Sequence, residues 1–568
     1  MAMGATALGD DAHDTGSQWE TMDPEWAYVV ASKVMAADIK VPTVQEAMAD
    51  PLWRAACDAE MASQKAMKVG HLVPPSELPP GTLVVPAVWS FRAKSKADGT
   101  LEKYKARLNY GGHRVPKCMV GAVHSPVGRL DALRCMLALC AHHDWDLRQV
   151  DVKTAFLNSV LTEPKYMRQP PGYKQAGREN WLMKLCKAIY GMPEASREWN
   201  HTADAALVSM GYRRCTADSC LYLLFVNGVL VGMVYVHVND FLASGPGSRD
   251  TFVAQLCKWF EVSDLGQASW ILGMAVVRNR QQKTIKLHQE KYALEILKRH
   301  GFDSCRGSDT PYMTEVKYDR MSIALADDEV LDDVKQYQSV VGGLNYLACC
   351  ARPDLARAVA SISRYNARPG RIHWEAAVKV LRYLKAHSSE GIVFGGGPKD
   401  DGLLMGYGLQ GQPDLHGYCD ADHADDRSDR KSVSGNVFFL CGGPVVWRSC
   451  KQKCTALSSW ESEYVAMCLA AQEVVWLRRL LSEMSDVVRG PTVVLADNLG
   501  AIATAGKSEE EHPQSRKHID VRYHFVQNCV RQGELAFTWV KSEGNIADVF
   551  AKDLPVTVFR GHCKNLVQ

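Results

Sequence analysis

The chain has 568 residues, is 46% hydrophobic and 23% charged, and sets 66 Lys and Arg against 64 Asp and Glu for a net charge of +2. That length exceeds what one core serves, so two to four domains are expected. The near-neutral balance excludes a polyanion binder acting through overall charge, which leaves only local basic patches for any nucleic-acid contact.

The 18 cysteines include no C-x-x-C pair; Cys450 and Cys454 have three residues between them and no nearby histidine, and Cys349 and Cys350 are adjacent. This pattern argues against structural zinc or a disulfide framework and for reduced, buried thiols in an intracellular protein.

In chain order, residues 1–43 read as a loose acidic tail, and with no Lys or Arg in residues 1–32 no secretory or transit signal is expected there. Helical spacing from Val44 to Val69 leads into a Pro-rich connector at Pro74–Pro86, then two strands flanking the turn Asp98-Gly99. An apolar helix over Leu130–His142 precedes the strand that carries Asp151. A strand over Trp181–Ile189 and a helix over Glu194–Met210 follow. The run Leu221–Val238 is apolar enough to suggest a membrane span, but Asn227-Gly228 interrupts it as a hairpin turn, so two buried strands are expected. Helices are expected near 250–260 and 289–300 and through most of 335–388. A final α/β segment in the order strand–strand–helix–strand–helix begins after a boundary in the Gly-rich stretch Gly395–Gly411. There is no internal repeat.

Two strings carry charge into apolar, strand-like surroundings: Gln149-Val-Asp-Val-Lys-Thr-Ala-Phe-Leu157 and Val234-Tyr-Val-His-Val-Asn-Asp-Phe-Leu242. An uncompensated charge there is costly, and a divalent cation shared by Asp151 and Asp240 would offset it. On spacing alone, a turn cap is the stronger account of each aspartate. Lys105 and Arg107 alternate on a strand and so share one face, as they would on any solvated edge.

The strings go further than spacing. Asp-Val-Lys-Thr-Ala-Phe-Leu-Asn at 151–158, continued by Tyr166-Met-Arg-Gln-Pro-Pro-Gly172, resembles the first catalytic motif of Ty1/copia-type retrotransposon reverse transcriptases. Tyr104-Lys-Ala-Arg-Leu108, Ser125-Pro-Val127, Leu185-Cys-Lys-Ala-Ile-Tyr-Gly191 with Arg197-Glu-Trp199, Gly342-Gly-Leu-Asn-Tyr-Leu347, Arg352-Pro-Asp354 and Arg382-Tyr-Leu384 match in order. The resemblance runs from about Val44 to Leu554. It implies that Asp151, Asn239 and Asp240 occupy the catalytic positions and that Lys105 and Arg107 hold the incoming triphosphate. It also implies that Phe156 is a steric gate against the 2′-OH, although an ordinary core Phe fits that residue equally. Two departures stand out: His237-Val-Asn-Asp240 replaces the family's Tyr-Val-Asp-Asp, and Gly191-Met-Pro-Glu194 replaces Gly-Leu-Lys-Gln. Asn239 removes one full negative charge from a hard-cation site.

The C-terminal strings Gly417-Tyr-Cys-Asp-Ala-Asp422, Asp429-Arg-Lys-Ser-Val-Ser-Gly435, Ala456-Leu-Ser-Ser-Trp-Glu-Ser-Glu-Tyr464, Ala496-Asp-Asn498, Lys517-His-Ile-Asp520 and Gly544-Asn-Ile-Ala-Asp548 resemble the RNase H domain of the same elements. By that resemblance Asp420 ends the first strand, Glu463 sits on a helix, Asp497 ends another strand and Asp548 opens the last helix. Together they would clamp two Mg²⁺, with raised pKa values when metal is absent. Trp460 stands where a small Thr is usual. Lys517 and His518 fit either a phosphate contact or a basic turn.

The resemblance therefore implies an α+β and α/β multidomain chain built as a right-hand polymerase followed by an RNase H-like domain. Fingers and palm would span 44–275, thumb and connection helices 276–400, and the RNase H-like domain 401–568. Expected cofactors are Mg²⁺, with Mn²⁺ as an alternative. Expected partners are an RNA template, a DNA primer, dNTPs and the RNA–DNA hybrid, with no membrane. The expected setting is a cytoplasmic virus-like particle or the nucleus, without secretion. No aspartic-protease Asp-Ser/Thr-Gly motif or integrase-like zinc segment precedes these motifs, which suggests the C-terminal part of a polyprotein or a truncated copy. The competing reading is a decayed or co-opted copy that binds nucleic acid or keeps only RNase H cleavage.

Overall fold

The computed structural model describes residues 41–95, 101–246, 248–314, 321, 329–396, 415–484, 488, 490–507 and 520–568. The tail over 1–40, the turn Asp98-Gly99, most of the Gly-rich boundary, and Lys517 and His518 lie outside them.

A six-stranded sheet occupies the region expected as the palm, in the order Val262–Gln267, Asp146–Val152, Asp240–Gly245, Val229–His237, Leu221–Val226, Arg213–Arg214. Its strands alternate between two cores. Val150, Val234, Val236, Phe241 and Ala243 enter a cluster shared with the helix Ala195–Ser209 and the strands Ala87–Ser95 and Leu101–Tyr110. Leu147, Met233, Tyr235 and Leu242 enter a second cluster against the helix Leu130–His142. Burial on both faces with a period of two explains why Leu221–Val238 reads as a continuous apolar run. Asn227 (φ 51°) and Gly228 (φ 79°) make the tight turn that divides it. Among the described residues no helix is long and apolar enough to cross a membrane.

The region expected as thumb and connection helices is mixed. Helices Glu290–Arg299, Val334–Cys350, Ala356–Ser363 and Arg371–Ala386 pack beside a four-stranded antiparallel sheet ordered Trp270–Ile271, Met274–Asn279, Thr284–His288, Gly391–Gly395. These strands, and Val262–Gln267 before them, carry no Asn-Gly or Asp-Gly signal. The turn at Lys283 uses a left-handed lysine (φ 51°), a conformation that sequence does not announce.

The C-terminal sheet is ordered Gly443–Lys451, Val433–Leu440, His416–Ala421, Thr492–Ala496, Leu535–Trp539; the first three strands are antiparallel and the last two run parallel to the third. The long helix Ser459–Met484 covers it, and Val433–Leu440 is buried at every position. Asp548 opens the short helix Asp548–Ala551. The last helix is Val556–Leu566, so the expectation that Asp548 opens the final helix is corrected.

The C-terminal domain joins the rest through one continuous core. Gln568 and Gly391 exchange backbone hydrogen bonds of 2.8 and 3.1 Å, so residue 568 is tied beside the first residue of the strand Gly391–Gly395. The fully buried Arg134 of the palm helix donates to Val445 O at 2.7 Å, Cys349 O at 2.9 Å and Cys350 O at 3.1 Å, and also bonds Asp131. Asp131 receives Arg448 at 2.7 Å as well. A buried guanidinium is tolerable only with its donors satisfied, and here one arginine ties palm, connection and C-terminal sheet together.

Candidate catalytic centres

Asp240 and Asp151 face each other as register partners on neighbouring antiparallel strands. Directly opposed residues lie roughly 4.5–5.5 Å apart at Cα, close enough for carboxylates to share a cation. The strand bearing Asp240 returns from His237 through a two-residue turn in which Val238 takes φ 55°, an outlier for a β-branched residue. Val238 O accepts Trp199 Nε1 at 2.5 Å and Asn239 O accepts Val152 N at 2.9 Å, which pins the strained turn from both sides. The Asn239 amide donates to Asp151 Oδ1. A carboxylate at 239 would repel Asp151 there unless a cation intervened. Burial pushes the His237 imidazole down to about 4.

Lys105 and Arg107 are half-buried on one face of Leu101–Tyr110, while Ala106 and Leu108 point into the core. The Arg107 guanidinium stacks 4.5 Å over the Tyr190 ring, and Tyr190 meets Phe156 edge-on at 5.0 Å. Phe156 lies in a 3₁₀ turn entered through a left-handed Thr154, is only 2% exposed, and joins the fingers–palm core. The ring is thus covered by Tyr190, a residue that sequence reasoning places only within a motif. Glu194 pairs with Lys165 at 3.3 Å at the start of the helix Ala195–Ser209, so the acid standing where the family has an amide is engaged by a base on a neighbouring strand.

The C-terminal acids converge more tightly. Asp420, Glu463 and Asp497 each offer an oxygen within 4.8 Å of the others. Asp420 lies on the strand His416–Ala421, Glu463 in the second turn of the helix Ser459–Met484, and Asp497 just past the strand Thr492–Ala496. Asn498 caps the next helix through Ala501 N at 2.9 Å, which fixes where that strand stops. Asp548 reaches the group because Asp420 pairs in register with Gly435, where a Cβ would meet Ala547 O at 2.7 Å. Only glycine admits that approach.

Burial first, then neighbouring Glu463, raises Asp420 well above the carboxylate range. Burial and Asp497 push Glu463 up to about 8. Asp420 Oδ2 and Glu463 Oε2 are buried without a hydrogen-bond partner. Converging carboxylates with orphaned oxygens suit a hard divalent cation, so the residues present fit the metal that the resemblance implies. Two residues that sequence reasoning misses complete the site. Lys552 donates to Asp420 at 2.9 Å and Asp548 at 2.8 Å, and although burial opposes its charge, those carboxylates hold its ammonium above the ordinary lysine range. Ser542 donates to Asp497 Oδ2 at 2.7 Å. The spacing of Lys552 four residues after Asp548 on a helical turn is the available signal for the first; Ser542 has none. Trp460 stacks on Tyr464 at 5.4 Å and Tyr464 on Tyr523 at 5.4 Å, so the bulky residue before the acidic pair packs away from Glu463 along its own helix face.

Residues 72–314 match the family model described as reverse transcriptase (RNA-dependent DNA polymerase). The retrovirus-related Pol polyprotein from transposon TNT 1-94 of Nicotiana tabacum is 33% identical over 545 residues, covering 95% of this chain and 40% of that protein. The Pol polyprotein from transposon RE2 of Arabidopsis thaliana is 32% identical, covering 96% of this chain and 36% of that protein. The chain thus spans about two fifths of the length of these relatives. A foamy viral protease-reverse transcriptase solved with dsDNA covers 87% of this chain and 84% of its own at 12% identity and TM-score 0.44, a likeness too low to add to the sequence matches. Residues 72–314 thus match the reverse transcriptase family model, and nearly the whole chain is similar in sequence to part of the Pol polyproteins of transposons TNT 1-94 and RE2.

Proposed function

We propose that the chain is a retrotransposon reverse transcriptase with RNase H activity, copying an RNA template from a DNA primer with dNTPs and cleaving the RNA of the resulting hybrid. The observation that carries the reading is the convergence of Asp420, Glu463 and Asp497 within 4.8 Å, behind a domain of the reverse transcriptase family. Asp420, Glu463, Asp497 and Asp548 are the residues that would hold divalent ions in the C-terminal domain, and Asp151 and Asp240, with the amide oxygen of Asn239, would do so in the palm. Mg²⁺ or Mn²⁺ bound there supplies Lewis-acid activation of a water or a primer hydroxyl and stabilises the leaving oxygen. Lys105 and Arg107 hold the triphosphate, and Phe156, reached by a shift of Tyr190, tests its sugar. All 18 cysteines are thiols with no disulfide among them, which fits a reducing intracellular setting, a cytoplasmic virus-like particle or the nucleus.

One observation favours a second reading. Asn239 bonds to Asp151 as a donor, which a metal-binding third carboxylate cannot do, so the palm suits a copy that keeps RNase H cleavage and has lost efficient polymerisation. Primer extension and hybrid cleavage on the purified full chain, in Mg²⁺ and Mn²⁺, separate the two. Wild-type extension together with cleavage lost in Asp420→Asn supports the first. Cleavage without extension, with extension regained in Asn239→Asp, supports the second. Absence of both activities refutes both.

A further inference from the structure

The segments that carry Asp420 and Asp548 are held from outside their own domain. Arg357, on the connection helix Ala356–Ser363, is fully buried, and its guanidinium lies 3.2 Å from Asp425 Oδ2, 4.0 Å from Asp422 Oδ2 and 3.4 Å from Asp553 Oδ1. Asp422 and Asp425 follow Asp420 by two and five residues, and Asp553 follows Asp548 by five and Lys552 by one. Asp422 also fixes the next strand, exchanging bonds with Val433 at 2.8 and 3.0 Å. Arg364, the residue that caps the end of this helix, lies 3.2 Å from Asp426, and Tyr312 donates to Val549 O at 3.1 Å, one residue past Asp548.

We infer that Arg357 is a positioning residue for the C-terminal metal centre: a connection-region guanidinium that sets the spacing between the Asp420 strand and the Asp548 helix. Buried ion pairs add little net stability over apolar packing, so stability alone does not account for this one. Arg357 donates to Asp425 and holds its delocalised charge within 4.0 Å of Asp422 and Asp553, so one planar guanidinium faces carboxylates on two segments at once, where the compact point charge of a lysine would favour one. Carboxylates sharing a metal pair tolerate displacements of only about half an ångström, so this brace acts on metal affinity. The hydrolytic centre is then a property of connection and C-terminal domain together.

This inference rests on the hydrolytic reading above, and its test separates the two. Mg²⁺ and Mn²⁺ binding to the full chain is measured by calorimetry for wild type, Asp420→Asn and Arg357→Lys, with hybrid cleavage titrated against Mg²⁺. In Arg357→Lys the dissociation constant of the Asp420-dependent site is expected to rise at least tenfold. The half-saturating Mg²⁺ for cleavage should rise equally, kcat at saturating Mg²⁺ should change less than threefold, and the metal-free unfolding midpoint should hold. Should Arg357→Lys not fold, Asp553→Asn, which leaves Arg357 its contacts with Asp422 and Asp425, reads the same quantity. Wild-type metal affinity in the folded variant overturns the inference alone. Absence of any Asp420-dependent binding in wild type overturns the hydrolytic reading with it.

Discussion

Asn239→Asp tests the palm most directly, because one substitution changes sign with metal. The Asn239 amide donates to Asp151 Oδ1, and Asp151 is the register partner of Asp240. Replacing the amide removes that donor, about 1 kcal/mol, and sets two like charges near each other. At about 4 Å their repulsion is roughly 1 kcal/mol in water and roughly 4 kcal/mol at an effective dielectric of 20. Both side chains are half-buried, so a metal-free cost of about 2–4 kcal/mol is expected. At roughly 2–4 °C per kcal/mol for a domain of this size, the melting midpoint in EDTA should fall by roughly 4–16 °C. Saturating Mg²⁺ or Mn²⁺ converts the repulsion into coordination, so the deficit should close and primer extension should rise above wild type. Differential scanning calorimetry with and without metal measures the first, and a gel-based extension assay the second. An unchanged midpoint in EDTA, or an equal fall with and without metal, would refute the claim that residue 239 faces a shared cation.

The C-terminal centre carries a pH signature. Folded-state pKa values raised at Asp420 and Glu463, the latter to about 8, mean that the folded chain holds protons the unfolded chain has released. Metal-free stability contributed by these groups should therefore fall as pH rises from about 4.5 to about 8, and Mg²⁺ should reverse the fall. Melting midpoints across that range, compared between wild type and Asp420→Asn, check the sign; a wild-type slope no steeper than the variant's would contradict it. Arg134→Met removes the buried tie among palm, connection and C-terminal sheet and leaves Asp131 less compensated. A loss of about 3–5 kcal/mol in urea unfolding is expected, and under about 1 kcal/mol would show that the tie is dispensable. Phe156→Val should raise ribonucleotide over deoxyribonucleotide incorporation if Tyr190 swings aside to expose the ring. A loss of about 1–3 kcal/mol in stability with an unchanged ratio would make Phe156 a core residue only.

Much of the fold is legible in local sequence. The helix Leu130–His142, the Asn227-Gly228 hairpin and the strand carrying Asp151 follow from apolar periodicity and turn chemistry, which are local properties. The ordered motifs place seven candidate catalytic residues, because each sits beside a strand end or helix start that its own neighbours define. Tertiary structure decides the rest. The sheet through Met274–Asn279 and Thr284–His288 has no sequence signal because its turn is a left-handed lysine, stabilised by partners distant in sequence. Lys552, bridging Asp420 and Asp548, is an ordinary lysine until Gly435 lets the last acid approach the first. Arg357 lies in a connection helix with no motif around its side chain, and its meaning appears only where three aspartates meet it. Local sequence determines which elements form and which acids stand at their ends. The distances that make those acids a candidate metal centre, and the amide of Asn239 turned toward Asp151, are set by packing between segments far apart in the chain.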